Sequence, residues 1–564
     1  MNKNFDKAQG GRYKDADQLE LDVKDGLGIK ALLHPKIADI VNFRKPVGVF
    51  KTSHGRFAVG LEDNEVYAEA VEASAKALHE PSAMDANASL IAVLPTQYPE
   101  WLGGRYFTTA HNCRFPYVVG AMARGITTAR MVVAASKHGL LGFFGAAGLR
   151  PPVIAEALDE IKAGVDAGAP WGSNLIHAPD RPEREREVVD LYLDHGVSRV
   201  SASAFMKLSP EIVRYAANGL TLNPNGEIER SNHVFAKVSR PEVAAQFMAP
   251  PPTDILRELA AAGRITELQA ELQSRLPVAE DISVEADSGG HTDNRPLQAL
   301  FPAIAALRNS LVEKHAFDRP VRLGAGGGLG TPEAVASAFQ MGADYVLTGS
   351  VNQACVESGL SESGKQLLAD CDLADVMMAP AADMFERGVK VQVLKKGSMF
   401  PVKAQRLYEI YRRYDAFGDL PEKDQQWLER QIFLESFSQA WARTRAHYAD
   451  SNPALAEMAD TNPKQQLALV FRRYLFMGAQ WAREGNEDRR IDYQIWCGPA
   501  MGSFNDWVRG SFLEPMENRT VGQVALNLLE GACVVTRMHQ LRAAGVEMPS
   551  ALLTFSPRRL TLIR

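Results

Sequence analysis

Between residues 115 and about 385 the sequence repeats one pattern eight times: a short apolar run, a turn, and a longer segment with helical periodicity. The runs are "FPYVVGAM" (115–122), "LLGFFG" (140–145), "PWGSNLI" (170–176), "VSRVSASAF" (197–205), "HVFAKVS" (233–239), "DISVEAD" (281–287), "VRLGAGG" (321–327) and "YVLTGS" (345–350). Most are short, apolar and β-branched, as strands buried on both faces are. The segments between them, such as "PVIAEALDEIKAGVDAG" and "EREREVVDLYLDHG", space apolar residues by three and four and so hide one face only. The clearest is "TPEAVASAFQMGA". There Thr331 caps, Pro332 suits the first helical position, Val335, Ala338 and Phe339 form the apolar face, and Gly342 ends the helix. Eight such steps predict an α/β fold of the (β/α)8 or TIM barrel type.

The competing architecture, an open doubly wound sheet, begins with a compact dinucleotide-binding turn after its first strand. "GFFGAAG" (142–148) lacks that spacing and has no clear acidic residue after the next strand, so its glycines read as packing or turn residues. Before the barrel, one helix is expected over "NEVYAEAVEASAKALH" and an irregular lid or apron over "LPTQYPEWLGGRYF". Beyond residue 400, "PVKAQRLYEIYRRYDAFG", "KQQLALVFRRYLFMGAQWAREG" and "VGQVALNLLEGACVVTRMHQLRAAG" are helical by pattern. The expected division is an N-terminal extension or lid (1–110), a barrel with insertions (111–400) and a mainly helical C-terminal region (401–564).

Composition narrows the function. Acidic residues outnumber basic ones, 68 to 62, with no long basic stripe, which argues against nucleic acid as a partner. The start, "MNKNFDKAQGGRYKDADQ", lacks a secretory apolar core, and the most apolar stretch, "MVVAASKHGLLGFFGAAGL", is interrupted by Lys137 and His138. No membrane insertion is expected. Five widely spaced cysteines (113, 355, 371, 497 and 533) fit neither a disulfide framework nor a thiolate metal motif, and suit a cytoplasmic protein with reduced thiols.

Barrel enzymes build their sites at the carboxyl ends of the strands, the seventh and eighth often holding phosphate. Gly326, Gly327 and Gly328 sit at the end of the seventh expected strand, and Gly349 and Ser350 at the end of the eighth. Side-chain-free backbone there admits a sugar, flavin or nucleotide phosphate. Asn174 in the third strand, Lys237 in the fifth and His291 just beyond the sixth reach the same face. Asn174 either meets a planar ligand or satisfies a turn. Lys237 either counters charge on a reduced cofactor or makes a structural ion pair, and His291 either moves a proton or fills a tight turn. His291 and Asp293 are two residues apart and do not make a metal site, so no metal is expected. No nucleophile elbow surrounds any serine.

Taken together, these motifs resemble the FMN-dependent 2-nitropropane dioxygenase or nitronate monooxygenase barrels over roughly residues 110–360. Over nearly the whole chain they resemble, more narrowly, the PfaD-type trans-acting enoyl reductases of polyunsaturated fatty acid and polyketide synthases. The narrower likeness rests on "YPEWLGGRYF", "NLIHAP", "PVAEDISVEADSGGHTDNRP" and "VQVLKKGSMFPVKAQRLYEIYRRY". It implies FMN, with its phosphate at Gly326, Gly327, Gly328, Gly349 and Ser350, Ala121, Met122 and Asn174 near the ring system, and Lys237 beside it. It further implies NADPH or NADH as electron donor, a 2,3-enoyl thioester on an acyl carrier protein as substrate, and His291 as proton donor to the α-carbon. The relatives' turn runs Glu-Ala-Gly-Gly-His. Here it runs Glu285, Ala286, Asp287, Ser288, Gly289, Gly290, His291, which is two residues longer, and His177, after the third strand, is the reserve catalytic candidate. Nitronate oxidation and a noncatalytic synthase scaffold are the alternatives. The C-terminal helices leave a homo-oligomer open against internal packing.

Overall fold

The computed structural model describes residues 43–52, 57–61, 88–179, 181–546 and 554–562. The helix expected over residues 64–79 and the N-terminal tail lie outside the described residues. The chain forms two compact units, Met1–Leu102 with Leu528–Ser556, and Gly103–Asn527 with Pro557–Arg564.

In the first unit, Val47–Thr52 is the central strand of three, antiparallel to both Phe57–Leu61 and Ala88–Leu94. Phe43, Val47, Val49 and Val59 bury against Cys533, Val534, Met538 and Leu541 of the last helix. Arg537 lies within this packing, and its terminal guanidinium nitrogens donate to the carbonyls of Phe43, Lys45 and Pro95. These bonds offset the cost of burying its charge.

The second unit is built on a closed barrel. Its strands are β1 (Tyr117–Val119), β2 (Leu141–Phe144), β3 (Trp171–Ile176), β4 (Arg199–Ser203), β5 (His233–Val238), β6 (Asp281–Glu285), β7 (Arg322–Gly326) and β8 (Tyr345–Thr348). Each pairs in parallel with the next, and β8 closes on β1 with Val346 opposite Tyr117 and Thr348 opposite Val119. Every expected run contains its strand, shortened where the ends give way to turns. Thr331 accepts a hydrogen bond from the Ala334 amide, starting the helix Pro332–Gln340, and Gly342 follows its end at φ +96°.

The stretch read as an irregular apron ends in a helix, Arg105–His111, which serves as the barrel floor. Phe107 stacks on Tyr345 at 4.4 Å and meets Phe235 edge-on. At seven residues the helix is too short to declare a period. Its last residue, His111, joins a buried ionic network at the amino ends of β4 to β7. Arg322 donates to both Asp281 oxygens at 2.6 and 2.7 Å, His111 Nε2 lies 3.0 Å from Asp281, and Arg199 Nε lies 3.2 Å from His111 Nδ1. An arginine can only donate, so His111 carries its proton on Nε2 and gives it to Asp281. His111, His233 and Asp281 come within 4.8 Å of one another, as metal ligands would. Two guanidiniums already engage them, and we read the cluster as an ion-pair plug.

After the barrel, Val376–Pro380 and Lys390–Leu394 form an antiparallel hairpin. Phe400–Arg413, Phe437–Ser451 and Pro463–Glu484 are the main helices that follow, ahead of Val521–Ala543. Phe385, Val391, Val393, Phe400, Leu407, Phe471 and Leu475 form one buried cluster joining hairpin to helices. The five cysteines are free and buried. Among the described residues, no helix is long and apolar enough to cross a membrane.

Candidate active site

The carboxyl ends of β7 and β8 form a cradle free of side chains. Gly327 and Gly328 take φ values of +92° and +73°, where other residues are strained. Nothing lies within 4 Å of where a Cβ on Gly328 or Gly349 would stand, so this space fits a phosphate group held by backbone. Gly326 is the last residue of β7 and lies against Leu347 of β8. Ser350 follows β8, and its hydroxyl accepts a hydrogen bond from the Gly498 amide at 3.0 Å.

Ala121 and Met122 follow β1 in a turn pinned by buried Thr127. Its hydroxyl donates to the Gly120 carbonyl and accepts from the Met122 amide, both at 2.9 Å. Asn174 is buried in β3, and its amide nitrogen donates to the Ser201 carbonyl at 2.8 Å and the Ser203 hydroxyl at 3.0 Å. The oxygen is the atom left to meet a ligand. Lys237 of β5 pairs with Glu285 of β6 at 2.9 Å, and Ser288 donates to the same carboxylate oxygen. Of the two readings of Lys237, the structure shows the ion pair, which is half-buried at the barrel mouth.

His291 does not hang from a simple strand end. Gly290–His291 adds a third strand to the hairpin, with Gly290 opposite Gln392 and His291 opposite Val391. Gln392 donates to Asp287 Oδ1 at 2.8 Å and to the Ser288 carbonyl at 2.9 Å, and accepts from Asn294 at 2.9 Å. Asn294 holds φ +51°, one of six non-glycine residues with positive φ among the described residues. Arg124 after β1 and Ala204 after β4 are two others on the same barrel face. His291 Nε2 lies 3.3 Å from Asp383 Oδ1, and both side chains are about half exposed.

His177 is placed otherwise. Its Nδ1 lies 2.9 Å from Glu185, its ring stacks on Phe205 at 4.7 Å, and its side chain is buried. This geometry suits support of the loop after β3.

Asp383, Gln392, Gly498 and Arg124 were not singled out from the sequence. Gln392 lies in a motif quoted for the resemblance, whereas Asp383 sits in a loop without periodicity. The Arg124 guanidinium lies 3.5 Å over the Phe476 ring and donates to the Phe476 carbonyl. Burial and the neighbouring Arg483 pull its pKa down to about 10, while the Asp383 carboxylate acts against them. Burial also works to raise the Asp383 carboxyl, but the nearby His291 together with the Asp383 and Met384 backbone amides holds it below its ordinary value.

Glycine-lined ends of β7 and β8 and a histidine turn after β6 sit on one barrel, and the sequence matches the nitronate monooxygenase family over residues 107–413. The chain belongs to the nitronate monooxygenase family. It is similar to the enoyl reductase domain of MlnA from the macrolactin biosynthesis cluster of Bacillus amyloliquefaciens, with TM-score 0.75 and 40% identity, covering 79% of this chain and 99% of that one. It is 46% identical over 448 residues to a polyunsaturated fatty acid synthase component of Thraustochytrium sp. (strain ATCC 26185 / S-3), covering 78% of this chain. It is 42% identical over 436 residues to the polyketide biosynthesis protein PksE of Bacillus subtilis (strain 168), covering 77%. The chain spans 30% and 56% of the length of these two relatives. Residues 414–493 match the inserted helical domain of acyl-carrier-protein S-malonyltransferase.

Proposed function

We propose that the chain is an FMN-dependent enoyl reductase acting within polyunsaturated fatty acid or polyketide synthesis. NAD(P)H, a proton and a 2,3-enoyl thioester on an acyl carrier protein give NAD(P)+ and the saturated thioester. The observation that carries this reading is the 40% identity to the MlnA enoyl reductase domain over 99% of its length.

Bound FMN would supply the route by which two electrons pass from NAD(P)H to the β-carbon as hydride. Gly326, Gly327, Gly328, Gly349 and Ser350 would hold its phosphate. Ala121, Met122, Asn174 and the Lys237–Glu285 pair would border its ring system. Hydride addition leaves the α-carbon electron-rich, and His291 gives it a proton. The half-exposed ring can recover that proton from water. The helical match at residues 414–493 supports a carrier-borne substrate. It also supports a partner within a synthase.

Nitronate oxidation is the second reading, favoured by the family match itself. There His291 would take a proton from the substrate carbon. Anaerobic stopped-flow absorption separates the two: after reduction by NADPH or NADH, the flavin should be reoxidised by an enoyl thioester. Reoxidation by neither the thioester nor any carrier-bound form of it would reject the proposal, and aerobic oxygen uptake driven by nitronate would favour the alternative.

A further inference from the structure

We propose that Asp383 is a positioning residue for proton transfer by His291, an inference that rests on the enoyl reductase reading above. The backbone of the histidine turn is fixed on three sides. Gln392 clamps Asp287, Ser288 and Asn294, the pairing with Val391 sets the strand, and a Cβ on Gly289 would stand 2.8 Å from the Cys497 amide nitrogen. The ring itself is half exposed, and the Asp383 carboxylate lies beside it, 3.3 Å from Nε2.

The loop that carries that carboxylate is packed at its base. Phe385, two residues on, is fully buried among Tyr408, Tyr411 and Phe471, with ring separations of 5.6, 5.2 and 6.2 Å. The hairpin tip therefore presents Asp383 from a packed base that is not part of the eight-stranded barrel.

Several other charged groups around the turn have partners of their own. Lys237 pairs with Glu285, Arg240 pairs with Asp293, and Asp287 accepts from Gln392 and Asn294. Arg124, backed by Arg483, faces Asp383 from the loop after β1, and Lys390 heads the paired strand. Two half-exposed partners add little to stability, because water screens them. Their consequence is geometric. A carboxylate only accepts, so Asp383 acting on His291 requires the hydrogen on Nε2, which makes Nδ1 the nitrogen that takes up and hands on the transferable proton.

The test uses the full chain with FMN bound, labelled with 15N-histidine, with the His291 ring signals assigned by H291Q. Wild type and D383E should show hydrogen on Nε2, and D383A a mixture of tautomers. In stopped-flow, D383A should slow flavin reoxidation by the enoyl thioester tenfold or more, leave flavin reduction by NAD(P)H unchanged, and be rescued by D383E. H291A/D383A should be no slower than H291A. Wild-type tautomer and rate in D383A, or further slowing of H291A by D383A, would overturn the inference. Where H291A is slow and D383A is not, only the role of Asp383 falls. Where H291A reoxidises at the wild-type rate, the proton-donor reading falls and takes this inference with it.

Discussion

Gly327 lies so close to Asp287 that a Cβ on it would stand 2.8 Å from the Asp287 carbonyl oxygen. The glycine loop after β7 and the histidine turn after β6 thus pack backbone against backbone. Gly327→Ala must also hold φ +92°, and strain of that kind costs about 1–3 kcal/mol. The expected outcome is a lower melting temperature together with a reduced flavin-to-protein ratio. Gly328→Ala, at φ +73° with nothing within 4 Å of the new atom, should cost less stability yet still lose flavin, because its methyl enters the phosphate space. Absorbance ratios and thermal unfolding of both variants check the contrast.

Gln392 satisfies groups on three residues of the turn at once. Gln392→Ala leaves them without those partners, a loss of about 1–3 kcal/mol where the groups are buried. Turnover should fall while flavin content stays near wild type, since the cradle on β7 and β8 is untouched. Loss of flavin in parallel with activity would show that the clamp supports the cradle instead.

His177 and His291 predict opposite phenotypes. His177→Ala removes one partner of buried Glu185, whose carboxylate also takes the Ala178 amide and the Ser209 hydroxyl. Its melting temperature should drop while turnover of the folded enzyme stays within about tenfold of wild type, about 1.4 kcal/mol in barrier. His291→Ala should keep its melting temperature and lose turnover. Paired thermal and kinetic measurements decide between them, and a stable but inactive His177 variant would restore it as a catalytic candidate.

Acid should loosen the barrel floor in two stages. Burial holds both His111 and His233 below their ordinary value of 6.5; at His111 the pull of Asp281 opposes it, while Arg322 and Arg199 reinforce it. Below pH 6.5 the unfolded chain binds protons that the folded chain refuses, so stability falls as pH falls. The slope reaches at most about 1.4 kcal/mol per pH unit for each histidine. Asp281 follows. Burial works to raise its carboxyl, but Arg322 and His111 hold it far below its ordinary 3.8, so its contribution is present above that value and is lost as pH drops beneath it. Calorimetry from pH 7.5 to 5 should show the first stage, with a shallower slope in His233→Gln. An unchanged slope in that variant would remove His233 from the account.

The barrel was legible because its signals are local. Each strand is a short apolar run, each helix such as Pro332–Gln340 carries its own cap, face and stop, and the glycines after β7 and β8 mark their own unusual backbone. The floor helix Arg105–His111 was missed because seven residues do not make a period.

The sequence by itself determined the eight-stranded order, the glycine cradle and the presence of a histidine after β6. Tertiary structure alone decided how that histidine is aimed. Gln392 and Asp383 come from a hairpin beyond the barrel, and Gly498 reaches Ser350 from farther still. Such contacts join segments far apart in sequence whose residues share no repeat, and the packing of Phe385 and its neighbours sets where the hairpin lies.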